Sequence, residues 1–117
     1  MHIETQCLPE GYKPGTGDPK ALPIYQSTTY TYDSTDHIGQ LFDLTAEGHM
    51  YSRISNPTVA AVEEKIAALE GGVGALCTTS GQAANLLAVL NICTAGDHFV
   101  AASTIYGGTV NLFAVTL

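Results

Sequence analysis

Residues 74–91 read Gly-Ala-Leu-Cys-Thr-Thr-Ser-Gly-Gln-Ala-Ala-Asn-Leu-Leu-Ala-Val-Leu-Asn. Gly74 to Thr78, uncharged and mostly apolar, predicts a short buried strand. Thr79-Ser80-Gly81 is turn chemistry, and Gln82 to Asn91 predicts a helix that is apolar nearly all round. Downstream, Gly96-Asp97 makes another turn before His98-Phe99-Val100-Ala101-Ala102, which predicts a second buried strand. Ser103 through Gly108 reads as a loop, with a helix beginning near Thr109. Upstream, Asn56 can cap a helix that has Pro57 at its first position and closes at Gly71-Gly72. Val59, Val62, Ile66 and Leu69 form its apolar stripe. Helix, strand, helix, strand, helix with continuous apolar strands predicts the α/β class and a parallel sheet. Two short strands do not complete such a sheet, so residues 51–117 are expected to be the start of a domain.

Residues 1–50 follow other rules. Pro9, Pro14, Pro19 and Pro23, with Gly11, Gly15 and Gly17, leave no helical period over 1–34. Ile24 to Tyr32 is rich in β-branched and aromatic side chains and favours an extended conformation. With no partner strand nearby, it reads as an extended arm, ordered only where it lies on something, often another subunit. A short helix follows, with Ile38, Leu41 and Phe42 on one face and an end at Gly48-His49.

Charge sharpens the picture. The chain of 117 residues carries a net charge of −7 and only 13% charged residues, against roughly 25% in soluble domains. A nucleic-acid partner and a basic membrane anchor are both excluded by that sign. Residues 1–50 hold seven acids and two lysines, whereas Ile66 to Leu117 holds only Glu70 and Asp97. A small free-standing domain covers its surface with charge. The second half is therefore expected to pack into a larger body or to self-associate. Asn111 to Leu117 ends without glycine, proline or a basic last turn, which predicts that the sequence continues. Cys7, Cys77 and Cys93 form no CxxC pair, an odd set suited to a reducing compartment. His2, His37, His49 and His98 lack ligand spacing, so no metal is expected. Met1-His2-Ile3-Glu4 does not open a signal peptide, and Ala83 to Ala95 is too short to span a bilayer. The expectation is a cytoplasmic protein.

Three places could carry chemistry. At Ser80-Gly81-Gln82 a glycine lets the backbone approach a ligand, and the following helix offers unpaired N–H groups and partial positive charge to an anion such as phosphate. Most such turns merely connect elements. Neither a dinucleotide fingerprint nor a P-loop is present, since Gly72-Val73-Gly74 precedes the strand and no GKS or GKT occurs. Tyr51-Ser52-Arg53 holds the only arginine, a forked donor beside a hydroxyl, and taken alone it suits a surface residue as well as a phosphate ligand. Tyr106 lies just beyond the second predicted strand, where α/β sheets place ligands. Its ring could stack on a flat cofactor or simply anchor the loop.

Taken in order, Ala21-Leu22-Pro23-Ile24-Tyr25-Gln26-Ser27-Thr28, Tyr51-Ser52-Arg53-Ile54-Ser55-Asn56-Pro57-Thr58, Leu69-Glu70-Gly71-Gly72, Ser80-Gly81-Gln82-Ala83-Ala84 and Tyr106-Gly107-Gly108-Thr109 resemble one family. It is the cystathionine γ-synthase-like group of pyridoxal-phosphate enzymes of cysteine and methionine metabolism. The resemblance implies a fold type I large domain whose first part is 51–117. It implies pyridoxal 5′-phosphate as cofactor, with Ser80, Gly81 and Gln82 at its phosphate. Tyr51 and Arg53 would reach the phosphate of a neighbouring subunit's cofactor, and Tyr106 would stack on the pyridine ring and act on the leaving group. It implies a homotetramer with shared active sites. Ser80-Gly81-Gln82 looks like the sulfhydrylases of the family, which implies γ-replacement on O-acetylhomoserine by sulfide to give homocysteine and acetate. Methionine γ-lyases have a cysteine where Gly108 stands; γ-elimination and cystathionine synthesis are the alternatives. Lys13, Lys20 and Lys65 do not stand in the motif of the Schiff-base lysine. The 117 residues alone are therefore expected to be inactive. A non-catalytic assembly module, or a generic phosphate-binding module, is the reading of another class.

Overall fold

The computed structural model describes residues 2–8 and 10–117; Met1 and Pro9, the latter among the prolines noted in the arm, lie outside the described residues. The chain forms two compact units, Met1–Leu76 and Cys77–Leu117.

The first unit is built on helices α1 (Ile3–Gln6), α2 (Thr35–Phe42) and α3 (Pro57–Glu70). α3 follows its punctuation closely. Asn56 accepts a hydrogen bond from the Thr58 N–H at 2.9 Å, Pro57 starts the helix, and Gly71 ends it at φ +67°. Its buried face, however, is not the expected stripe. Val59, Val62 and Ile66 are 42%, 47% and 47% exposed, while Ala61 and Ala67 are buried. Small side chains let backbone approach closely, and the N-terminal segment uses that opening. α1, for which the proline-rich sequence gave no period, packs on α3, and Lys65 Nζ donates to the Cys7 carbonyl at 2.9 Å. Gly11, at φ +88°, passes so near the helix that a Cβ there would stand 2.2 Å from the Ala61 carbonyl oxygen.

α2 is capped by Ser34, whose Oγ accepts from the His37 N–H at 3.1 Å, and it buries Leu41. It stops well before Gly48-His49. The backbone reverses at Leu44, the only described non-glycine residue with positive φ (+56°), and the Thr45 N–H turns back to the Gln40 carbonyl at 2.9 Å. A left-handed leucine carries no sequence signature, which is why the glycine looked like the stop.

The extended segment around Ile24–Tyr32 rests on its own chain. Thr29 and Tyr51 form an antiparallel bridge, and the Ser52 N–H donates to the Thr28 carbonyl at 2.9 Å. The support that composition assigned to a foreign surface is at least partly internal.

The second unit contains α4 (Gly81–Leu90) and α5 (Gly107–Asn111), the latter running on into a π-helical turn over Leu112–Thr116. α5 packs on α4, and Phe99 meets Phe113 edge to face at 5.0 Å. The predicted strands need correction. Residues 74–78 and 98–102 form no regular secondary structure, and among the described residues they join no ladder. They are not buried either: Leu76 is 74% and Val100 100% exposed. A strand is defined by a neighbour about 4.8 Å away that takes its N–H and C=O groups. Periodicity reports the side chains and says nothing of whether that neighbour is supplied.

The Gly96-Asp97 turn is present, with Gly96 at φ +96°. Asp97 Oδ2 accepts from the Thr94 N–H at 2.7 Å and from Thr94 Oγ1 at 2.9 Å. These two bonds, backbone first, hold the Asp97 carboxyl below the ordinary carboxylate range. A depressed folded-state pKa contributes stability above the unfolded value, lost as pH falls through the folded one. The turn is therefore expected to be closed at neutral pH and to open on acidification. A carboxyl ¹³C titration of Asp97 that follows the other aspartates would contradict this.

Among the described residues no helix is long and apolar enough to cross a membrane, and no three His, Cys, Asp or Glu side chains gather as a metal site.

Candidate functional site

The residues that sequence singled out fall in two places. Tyr51 and Arg53 belong to the first unit; Ser80, Gly81, Gln82 and Tyr106 belong to the second.

In the first, the chain from Tyr51 to Ser55 forms a tight turn, with the Ile54 and Ser55 N–H groups donating to the Tyr51 carbonyl at 2.8 and 3.0 Å. Asn56 holds it. Its Oδ1 caps α3, while its Nδ2 donates to the Tyr25 carbonyl, Tyr30 Oη and Ser52 Oγ at 3.0, 3.1 and 3.0 Å. Ser52 Oγ in turn meets Tyr30 Oη at 2.8 Å and donates to the Ser27 carbonyl. Thr58 Oγ1 accepts from the Tyr25 N–H at 2.9 Å and donates to the Pro23 carbonyl at 3.1 Å. The arm is thus stitched to the start of α3, and the stitch projects Arg53 outward. The guanidinium carbon lies 5.5 Å from the Tyr51 ring centroid, within cation–π range. Arg53 has no hydrogen-bond or ion-pair partner among the described residues, so its guanidinium is open to solvent.

In the second unit, the start of α4 leaves backbone donors exposed. Ser80 is extended (φ −161°, ψ 159°), and its Oγ accepts from the Ala83 N–H at 3.1 Å, while its carbonyl takes the Ala84 N–H. That leaves the Gly81 and Gln82 N–H groups without an acceptor among the described residues, both aimed out of the helix start. A helix terminus with two orphan donors carries partial positive charge and favours an anion. Nothing lies within 4 Å of where a Gly81 Cβ would stand, so the approach is open.

Tyr106 immediately precedes α5 and is 76% exposed. It does not stand apart from the helix start. A Cβ on Gly108 would be 2.5 Å from Tyr106 Cε1 and 2.9 Å from Gln82 Nε2, so ring and amide share the space a larger side chain would fill. Thr109, the only buried polar residue among those described, lies beneath them. Its Oγ1 donates to Gln82 Oε1 at 3.3 Å and accepts from Asn85 Nδ2 at 3.1 Å. Neither Asn85 nor Thr109 stood out as functional in the sequence. The available signal was Asn85 itself, a polar residue three after Gln82 on a helix otherwise nearly all apolar. A separate hollow over Phe99, Ala102 and Phe113 includes none of the six candidate residues.

Comparison with known proteins places this geometry in context. The family described as Cys/Met metabolism PLP-dependent enzyme matches residues 4–117. O-acetyl-L-homoserine sulfhydrylase of Leptospira meyeri is 49% identical over 114 residues, covering 97% of this chain and 26% of the relative. The Corynebacterium glutamicum enzyme of the same name is 54% identical over 96 residues, 82% of this chain and 22% of the relative. A Campylobacter jejuni structure described as an O-acetylhomoserine (thiol)-lyase, solved with a pyridoxyl-lysine phosphate, superposes with a TM-score of 0.91 at 35% identity. That match covers 99% of this chain and 29% of the other. The chain spans about a quarter of the length of the curated relatives it matches.

Proposed function

Because this chain belongs to the Cys/Met metabolism PLP-dependent enzyme family, we propose that it is part of a pyridoxal-phosphate transferase that replaces the γ-acetoxy group of O-acetylhomoserine with sulfide, giving homocysteine and acetate. The observation that carries this is the pair of orphan N–H groups at Gly81 and Gln82, with the exposed ring of Tyr106 beside Gln82. A phosphate needs such donors, and a planar heterocycle needs such a ring. The residues present therefore fit pyridoxal 5′-phosphate, the cofactor of the family.

In this reading Ser80 keeps α4 capped while Gly81 and Gln82 hold the phosphate through their backbone. Tyr51 and Arg53 reach the phosphate in a neighbouring subunit of a homotetramer, where the unpaired guanidinium supplies a forked donor. Tyr106 lies against the pyridine ring and moves a proton at its Oη as the leaving group departs. The cofactor, when bound, supplies the electron sink for carbanion chemistry. Residues 1–50 act as the arm and 51–117 open the cofactor domain, in a cytoplasmic protein. Lys65 is committed to the Cys7 carbonyl, and the lysine that holds the cofactor is expected outside these 117 residues, which alone are inactive.

Two features favour γ-replacement over γ-elimination: the named relatives that match at 49% and 54% are sulfhydrylases, and position 108 is glycine. The test is to express the whole open reading frame and supply O-acetylhomoserine, sulfide and cofactor. Homocysteine and acetate in equal amounts are expected. Release of a 2-oxo acid and ammonia instead would make it a lyase, and absence of cofactor binding would leave the assembly reading.

A further inference from the structure

We propose that Thr109 is a positioning residue, whose buried hydroxyl decides which end of the Gln82 side-chain amide faces Tyr106. Thr109 is 5% exposed, and a buried hydroxyl has one proton to give. Asn85 presents its Nδ2, which can only donate, so Thr109 Oγ1 accepts there and spends its proton on Gln82 Oε1. The carbonyl end of Gln82 is thereby committed inward. Its Nε2 is left on the Tyr106 side, in the space above Gly108 where ring and amide converge. The direction of this chain is set at Asn85, and each bond polarises the next. Without the hydroxyl, the two ends of the amide differ little in shape and nothing selects between them.

The consequence is that Gln82 contributes more than a backbone N–H. Its side chain presents a hydrogen-bond donor at the edge of the tyrosine, available to a carbonyl or anionic group of a ligand stacked there. Gly108 completes the arrangement by leaving room for both groups. This extends the cofactor reading above and rests on it for its functional meaning, but the relay itself is a property of the free chain.

The test therefore uses no cofactor. The 117-residue chain is labelled with ¹⁵N in its glutamine side chains, which are Gln6, Gln26, Gln40 and Gln82, and Gln82 is assigned with Gln82→Glu. Its Nε2 proton pair is expected to be displaced from the other three by the Tyr106 ring current, and the displacement is expected to vanish in Tyr106→Leu. Thr109→Val, nearly isosteric but without the hydroxyl, should cut the displacement to about half as both orientations of the amide become populated; Thr109→Ser should keep it in full. An undisplaced pair in the unaltered chain overturns the proposal, as does an undiminished displacement in Thr109→Val. Should Thr109→Val lose the backbone signals of Ala83–Leu90, Thr109→Ser decides: retention supports the relay and loss overturns it. Failure of cofactor binding in the whole enzyme would leave these signals untouched, so the two readings fail separately.

Discussion

Gly81→Pro is expected to weaken binding of pyridoxal 5′-phosphate to the whole protein by roughly 10- to 150-fold, the equivalent of one charge-assisted hydrogen bond of about 1.5–3 kcal/mol. Proline at the first helical position is tolerated, because the N–H it removes has no partner within the helix. Ser80 already has the extended backbone that a residue before proline requires. Beyond the adjoining residues and the helix's own backbone, no atom lies within 4 Å of the position a Cβ would occupy. The variant thus deletes one donor without unseating α4. Titration with the cofactor and with pyridoxal, which lacks the phosphate, separates the causes. The expected pattern is a large loss for the first and little change for the second. Equal losses for both would place the effect outside the phosphate, and no loss would remove Gly81 from the site.

The second large effect is on stability. Gly11→Ala is expected to destabilise the first unit by about 2–5 kcal/mol, combining a left-handed backbone with overpacking against an immovable atom. Gly11 stands at φ +88°, and the added methyl would meet the Ala61 carbonyl oxygen at 2.2 Å, part of the α3 backbone. Gly17 provides the control. It has nearly the same φ, +91°, with nothing within 4 Å, so Gly17→Ala isolates the conformational cost, about 1 kcal/mol. Urea midpoints for the two variants give the packing contribution by difference. Equal midpoints would mean that the N-terminal segment does not press on α3 in solution.

Much of this was readable beforehand wherever the signal was local. Asn56, Pro57 and Gly71 mark α3 because capping, a fixed φ and left-handed freedom each belong to one residue type. Thr79-Ser80-Gly81 marks the turn before α4, although the helix begins at Gly81, one residue earlier than the sequence suggests, with Ser80 as its cap. What escaped the sequence depended on partners. Val59, Val62 and Ile66 form a proper stripe, yet the surface buried within this chain is Ala61 and Ala67, chosen by a segment some 50 residues away. Residues 74–78 and 98–102 have the composition of strands, but composition does not provide the neighbouring chain that makes a strand. Among the site residues, Gln82 and Tyr106 were visible singly, while the hydroxyl joining Gln82 to Asn85 was not, since a threonine at the start of a helix usually means no more than a turn.

Asn56, on which the arm and α3 both hang, is also protected from chemical ageing. Asparagine deamidates when the backbone nitrogen of the next residue attacks its side chain, and the next residue here is Pro57, whose nitrogen bears no hydrogen to lose. The competing route, in which the side-chain nitrogen attacks its own carbonyl and cuts the chain, requires Nδ2 to swing back. That atom is tethered to Tyr25, Tyr30 and Ser52. The residue whose loss would release the most structure is therefore placed where neither spontaneous reaction of asparagine has an easy path.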